Sequence, residues 1–434
     1  MSTPRVASLK IARWLSLVIA GILVLLPLST FFTTWTGATF GHLEAWRLWK
    51  EVIIVASLPL VVALVWQEPK LWHWLKNSWF VRLFTLYILL HLALSIWALK
   101  RGQVNHPALI DGLLTNLRFL GFFIVCAIVA SLDGFLKRNW IRLTLVPAAL
   151  VVGLGLLQRF ILPLNFLSHF GYGPKTTAAY QTIDARPSMQ RLQSTLRGAN
   201  PLGAYLSFVV PAWLVSFNKR RHWQVIGLVL GVVVLGFTYS RSAYIATLLA
   251  ISLLALIYLK PRRSWLVYLA TGLVILSGSL YGLRNQQFVQ DTILHTSRNS
   301  ASAQSSNAVR ASSLRSAWHD IVHQPLGRGP GTAGPASAHN DHPARIAENY
   351  YLQIGQEVGV LGIALFVAMN AVVARQLWQR RDDKLALILL VTLAGISLIN
   401  LVSHAWADDT LSLIWWGLAG VACAPAILKA KDSR

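Results

Sequence analysis

The chain has 434 residues, 55% of them apolar and 13% charged, with a net charge of +23. Soluble proteins carry about 25% charged residues, so the composition excludes an ordinary globular domain and predicts an integral membrane protein. In such a protein a positive excess reflects Lys and Arg placed in cytoplasmic loops, and nucleic acid is not the expected partner.

Continuous apolar runs approach the ~20 residues that cross a bilayer as a helix, so the fold expected is all-α. A basic N-terminal tail (Arg5, Lys10, Arg13) precedes a first span at about Ala12–Phe32, too long for a cleaved signal. The second, about Val52–Trp66, leads into a basic, Trp-rich linker from Lys70 to Arg82 whose aromatics suit the headgroup level. Spans follow at about Leu83–Leu99, Phe119–Leu132 and Leu143–Leu162, then a loop from Pro163 to Asn200. The sixth span is about Leu202–Phe217. From Trp223 to Leu259 the chain is apolar for 37 residues except around Thr238–Ser242. As one helix this would be roughly 55 Å long, against a hydrocarbon core of ~30 Å, so it is expected to form two spans turning at Ser240-Arg241. The ninth span is about Trp265–Leu283, and the last three are about Tyr351–Val373, Leu385–Val402 and Leu411–Leu428. Cys126 and Cys423 lie in apolar runs, which argues against a disulfide framework or a thiolate metal site.

With the N-terminus inside, every inner segment holds three or more basic residues, while the short outer loops other than that from Lys100 to Arg118 hold fewer. The alternation predicts about twelve transmembrane helices with both termini cytoplasmic. It divides the chain into N-terminal spans (1–162), spans six to nine with the first outer loop (163–283), a large outer loop (284–349) and the last three spans (350–434). The loop between spans nine and ten is the longest polar stretch, with Arg284, Arg298, Arg310, Arg315, Arg328 and Arg345, and His295, His319, His323, His339 and His342.

Arg241, at a tight turn between two spans, is the sharpest single signal. Charge there is costly and faces a cavity or a partner, unless it snorkels to headgroups. Together with Arg191 on the same face it would form a forked, permanently charged cradle for phosphate oxygens that requires no metal. His339, beside Asp341 and His342, can serve as a general base near neutral pH. Glu348 is the competing base, since desolvation can raise a carboxylate at a membrane edge. His319 and His323 have the spacing of a helical metal pair, but no recognisable motif completes it, and neither metal nor cofactor is expected. Gly327-Arg328-Gly329-Pro330-Gly331 follows no strand and is no dinucleotide or P-loop fingerprint. It is a turn, or a close backbone approach to a substrate. Asp408-Asp409 is expected as an exposed outer turn.

Together these pieces resemble the O-antigen ligase family, whose relatives include O-antigen polymerases and some protein O-oligosaccharyltransferases. The resemblance rests on Arg191 with Asn200-Pro201 before a span, the Ser240-Arg241 turn, the Pro325-Leu326-Gly327-Arg328-Gly329-Pro330-Gly331 stretch, and Asn349-Tyr350-Tyr351-Leu352-Gln353 through Gly359-Val360-Leu361-Gly362. It spans roughly Arg191 to Val373. The family places a His-Asn pair nine residues before Gly-x-x-Gly; here that position holds Glu348-Asn349, and the His-Asn pair, His339-Asn340, lies nine residues earlier. Either His339 keeps the role across an insertion, the favoured alternative because it retains the imidazole, or Glu348 has taken it.

The resemblance implies a glycosyltransferase of lipopolysaccharide biosynthesis in the bacterial inner membrane. It would move O-antigen polysaccharide from undecaprenyl diphosphate to a sugar hydroxyl of lipid A-core at the periplasmic face, with inversion and no metal. Catalysis is expected from His339, Arg191, Arg241 and Glu348. Substrate binding is expected from Arg197, Asn200, Ser240, Arg310, Arg315, Arg328 and His342. The implied partners are the lipid-linked glycan, the lipid A-core acceptor and membrane lipids. A polymerase is the alternative within the same chemistry, and a transporter the alternative outside it.

Overall fold

The computed structural model describes residues 6–183, 186–216, 222–259 and 301–427. The expected ninth span, Trp265–Leu283, lies outside the described residues, as do Arg284, His295 and Arg298. The described chain is a helical bundle with one two-stranded hairpin. The helices are α1 (Val6–Phe40), α2 (Leu43–Arg47), α3 (Trp49–Gln67), α4 (Pro69–Asn77), α5 (Trp79–Lys100), α6 (His106–Leu132) and α7 (Phe135–Phe160). After the hairpin β1 (Gln181–Ile183) and β2 (Arg186–Arg191) come α8 (Ala199–Ser216), α9 (His222–Phe237), α10 (Arg241–Leu259), α11 (Ala301–His323), α12 (Tyr350–Gln379), α13 (Lys384–Ile399) and α14 (Asp409–Cys423).

Seven of these helices are long and apolar enough to cross a membrane: α1, α3, α5, α6, α7, α10 and α12. Three shorter ones, α9, α13 and α14, are also apolar. This is a multi-pass membrane protein. Helix α4 differs in kind: five of its nine residues are Trp, Lys or His and only Leu71 is buried, as suits a helix lying at the interface.

Small residues let the helices close. Gly417 of α14 faces the Phe122 ring of α6, where an added Cβ would come within 2.6 Å. Gly395 of α13 lies against the Ala246 carbonyl of α10, at 2.6 Å for the same construction. Where apolar packing drives no helix association in lipid, such backbone approach supplies the van der Waals contact. Aromatic rings fill the centre: Phe119, Trp406, Trp415 and Trp416 are all buried, with Trp406 and Trp415 centred 5.3 Å apart.

Helix α12 is broken. Val358 and Gly359 leave the helical region, Gly359 with φ 71°. A break inside a span strands polar backbone groups, which must be satisfied by protein. The loop after α11 satisfies them. The amides of Arg328 and Gly329 donate to the carbonyls of Gln356 (2.9 Å) and Glu357 (2.7 Å), and the Val360 amide donates to the Pro325 carbonyl (2.9 Å). Only glycine fits: a Cβ on Gly327 would lie 2.5 Å from the Glu357 carbonyl, and one on Gly359 would strike that of Pro325. The two glycine motifs of the sequence are thus the two halves of one joint. Gly327 makes a close approach to the protein's own backbone at the break of α12.

The polar segment is less irregular than expected. Ala301–His323 forms a 23-residue helix, with the His319 and His323 rings stacked at 3.9 Å.

Candidate functional site

One end of the bundle gathers the start of α3, α6, α8, α10, α12 and α14. Its hub is the loop from Asn400 to Asp409 between α13 and α14. The Tyr350 amide donates to the Asn400 carbonyl (2.9 Å), and the Trp406 amide donates to the Asn400 side chain (3.1 Å). The Asn349 side chain donates to the Leu401 carbonyl (2.9 Å) and accepts from the Leu352 amide (3.0 Å), capping α12 while fixing it to the hub.

Asp408 and Asp409 are not the exposed turn that the sequence predicts. Asp408 caps α14, and its carboxyl is pushed up by burial and by the adjacent Asp409 charge. Asp409 is buried and anchors an ionic chain. Lys50 Nζ lies 2.8 Å from Asp409 and 3.2 Å from Glu51, and Glu51 lies 3.0 Å from Arg118. Arg118 also donates to the Ala407 carbonyl (3.0 Å), and Arg197 reaches Asp409 at 3.7 Å. The sequence hides this network because its members come from four distant places in the chain: the start of α3, the middle of α6, the loop before α8 and the start of α14. Lys50, Glu51, Arg118 and Asp111 were the residues missed as candidates. The signal available was charge at the starts of apolar runs.

Arg191 ends β2, opposite Gln181 in the hairpin register. Its Nε donates to the Thr238 carbonyl (3.1 Å) and its guanidinium to the Asn200 side chain (2.7 Å). Thr238 opens the turn before Arg241, the first residue of α10. The structure therefore places Arg191, Asn200, Ser240 and Arg241 around one turn. Tyr239 within it has φ 52°, a left-handed conformation that bulky residues rarely adopt. Since α10 packs along α13, with Ala246 at Gly395, Arg241 lies toward the α13 end of the hub.

His339 stands on the other side. Its Nδ1 is 3.5 Å from Asp111 of α6, and its carbonyl accepts from Asn105 (2.9 Å). Asp111 belongs to the group of carboxylates whose charge acts on Arg197, along with Asp409. His342 faces the Gly102 carbonyl at 2.7 Å. Glu348 precedes the α12 cap with φ 48° and exerts its charge on His404 in the hub. Burial drives His404 down to about 4, so it is neutral near pH 7. Strained backbone of this kind costs of order 1–3 kcal/mol; Tyr239 and Glu348 share it with His42 and Ser194 among the described residues.

The remaining candidates are separate. Arg328 donates to Asp320 (3.0 Å) and to Gln324, and Arg345 approaches Asp320 at 3.7 Å. That cluster ties α11 to the glycine loop. Arg315 is exposed on α11. Arg310 lies on the same helix, and its side chain is outside the described residues. Among the described residues, no group of three or more His, Cys, Asp or Glu side chains is arranged to hold a metal ion.

A helical multi-pass membrane protein with a cationic site at one end of its bundle is the class these features define. Residues 226–367, about a third of the chain, match the family described as O-antigen ligase. The match takes in Arg241, the glycine loop, His339, Glu348 and the break in α12, and leaves Arg191, Arg197 and Asn200 outside. The family suggests a membrane glycosyltransferase-like enzyme using a lipid-linked polysaccharide and an acceptor. No curated protein matches the chain.

Proposed function

We propose that the protein is an O-antigen ligase of the bacterial inner membrane, with about twelve spans and its site at the periplasmic face. It would transfer polysaccharide from undecaprenyl diphosphate to a sugar hydroxyl of lipid A-core. The observation that carries this reading is the convergence of Arg191 and Arg241 on one turn, through Thr238, beside Asn200. Two guanidinium groups neutralise a diphosphate and hold the charge that develops as the glycosidic C–O bond breaks. His339 accepts the proton of the acceptor hydroxyl at Nε2, with Nδ1 oriented by Asp111. The new C–O bond forms opposite the departing undecaprenyl diphosphate, inverting the anomeric centre. Arg197 and Ser240 border the same site.

A second reading gives the base to Glu348. It rests on the left-handed backbone at Glu348 and on its place immediately before the α12 cap, nine residues from Gly359-x-x-Gly362. Purified protein, lipid-linked polysaccharide and O-antigen-free lipopolysaccharide separate the two. General-base loss costs about 10²–10⁴-fold in rate; His339→Ala is expected to show it, and Glu348→Gln a smaller loss. The opposite ranking moves the base to Glu348. A product built only on lipid-linked glycan would make the enzyme a polymerase, and no product in the absence of a gradient would leave the transferase reading without support.

A further inference from the structure

The residue that starts α6 holds more than its own helix. Asn105 is the N-cap: its side-chain oxygen accepts from the Ala108 amide (3.0 Å). The amide nitrogen of the same side chain donates twice, to the His339 carbonyl (2.9 Å) and to the Asp341 carboxylate (3.1 Å). The main-chain amide of Asn105 donates to the Asn340 side chain (3.2 Å). The turn before it adds two more bonds. The Asn340 side chain donates to the Gln103 carbonyl (3.0 Å), and His342 Nε2 donates to that of Gly102 (2.7 Å). Every residue from His339 to His342 is thus bonded to the segment from Gly102 to Asn105.

Capping alone does not explain Asn105. Ser, Asp and Asn cap a helix about equally well, because each offers the acceptor that the cap requires. Of these, only Asn also carries an amide donor, and the His339 carbonyl and the Asp341 carboxylate both require a donor. The His339 ring needs such a mount. Its Nδ1 faces Asp111 at 3.5 Å, with 54% of the His339 side chain and 39% of the Asp111 side chain exposed. An exposed pair at that distance contributes little and does not fix a ring by itself. Asn105 and Asp111 both belong to the first turns of α6, so one helix grips His339 at its carbonyl and at its ring.

We propose that Asn105 is a positioning residue for His339: it fixes the main chain from which the imidazole reaches the acceptor hydroxyl. The proposal adds a residue to the ligase reading and rests on that reading's choice of His339 as the base.

The test assays purified full-length protein with lipid-linked polysaccharide and O-antigen-free lipopolysaccharide. Asn105→Ser and Asn105→Asp keep a cap and lose the donor, whereas Asn105→Ala loses both. The melting temperature is expected to fall only in Asn105→Ala. Displacing a catalytic group by about 1 Å can cost 10²-fold in rate, so kcat is expected to fall by about that factor in all three variants, with KM for both lipids nearly unchanged. The loss is expected to be greatest in Asn105→Asp, which sets a carboxylate against the His339 carbonyl and Asp341. Backbone amide exchange at residues 340–342 is expected to quicken several-fold in Asn105→Ser. Added to His339→Ala, Asn105→Ser is expected to cost nothing further, since no ring is left to place. Full kcat in Asn105→Ser and Asn105→Asp, unchanged exchange, or an additive loss in the double variant overturns the proposal. Exchange is read without any transfer. Wild-type protein that makes no product, while Asn105→Ser still loosens residues 340–342, defeats the ligase reading and keeps the clamp; product formed at a rate indifferent to Asn105 does the reverse.

Discussion

The two ends of the bundle use charge in different ways. At one end the ion pairs are peripheral: Lys137 lies 2.8 Å from Asp383 with about half of its side chain exposed, and Arg13 lies 3.5 Å from Asp133. At the other, Lys50, Glu51 and Asp409 are each at most 10% exposed and linked in one chain with Arg118 and Arg197. The first pattern is what a membrane protein needs for orientation, since exposed pairs contribute about 0–1 kcal/mol. The second takes charges out of water at a cost that is repaid only by good geometry. Where a protein builds such a network, it holds several elements in register, here α3, α6, the loop before α8 and α14.

The largest effect expected from breaking this contrast is catalytic. Arg241→Ala should lower transfer by about 10²–10³-fold, the loss typical of removing one preorganised charge stabiliser, while Lys137→Ala at the far end should leave the rate unchanged. A quantitative assay of polysaccharide attached to lipid A-core, on protein shown to be inserted, decides it. Next comes stability. Lys50→Met leaves Asp409 buried with only the more distant Arg118 and Arg197 and should cost about 3–5 kcal/mol; the matched Lys137→Met should cost under about 1 kcal/mol. Thermal unfolding in detergent compares the two directly.

An effect of the same order is expected at the joint. Glu357, fully buried at the break of α12, accepts from the Asn116 side chain (2.7 Å) and the Gly331 amide (2.8 Å). Glu357→Ala strands both donors, at about 1–3 kcal/mol for each buried group left unpaired, and Glu357→Gln, which keeps an acceptor for Gly331, should lose less. The same melting experiment checks the order. The subtlest test is pH. His404 is held neutral down to about 4 in the folded state, against an ordinary value of 6.5. Its folded value is the lower, so the unfolded chain takes up the proton first, and stability falls as pH drops from 6.5 toward 4. His404→Gln should flatten the melting temperature across that window; an unchanged pH slope would remove His404 from the account.

Much of the frame was legible in the residues. The breaks at Lys100, Leu132 and Thr238–Ser240, the turn before Arg241 and the span beginning at Tyr350 all follow from hydropathy and from Gly, Ser and charged punctuation, because a helix in lipid must satisfy its backbone within a local run. The α11 helix was missed because its apolar content is too low to show a face, and the Asp408-Asp409 turn was misread because two acidic residues between spans look solvated until their partners are known. Those partners, Lys50 and Arg197, lie hundreds of residues earlier.

The sequence by itself determined that this is a helical membrane protein, where its apolar runs start and stop, and that a segment of it resembles the O-antigen ligases. Only the tertiary structure decided that the Pro325–Gly331 stretch completes the broken α12, that Asn116 meets Glu357 across 241 positions of chain, and that Arg191 reaches the turn of Arg241. Hydropathy is a property of neighbours along the chain, whereas a buried charge or an interrupted helix is satisfied by whatever the packing brings alongside.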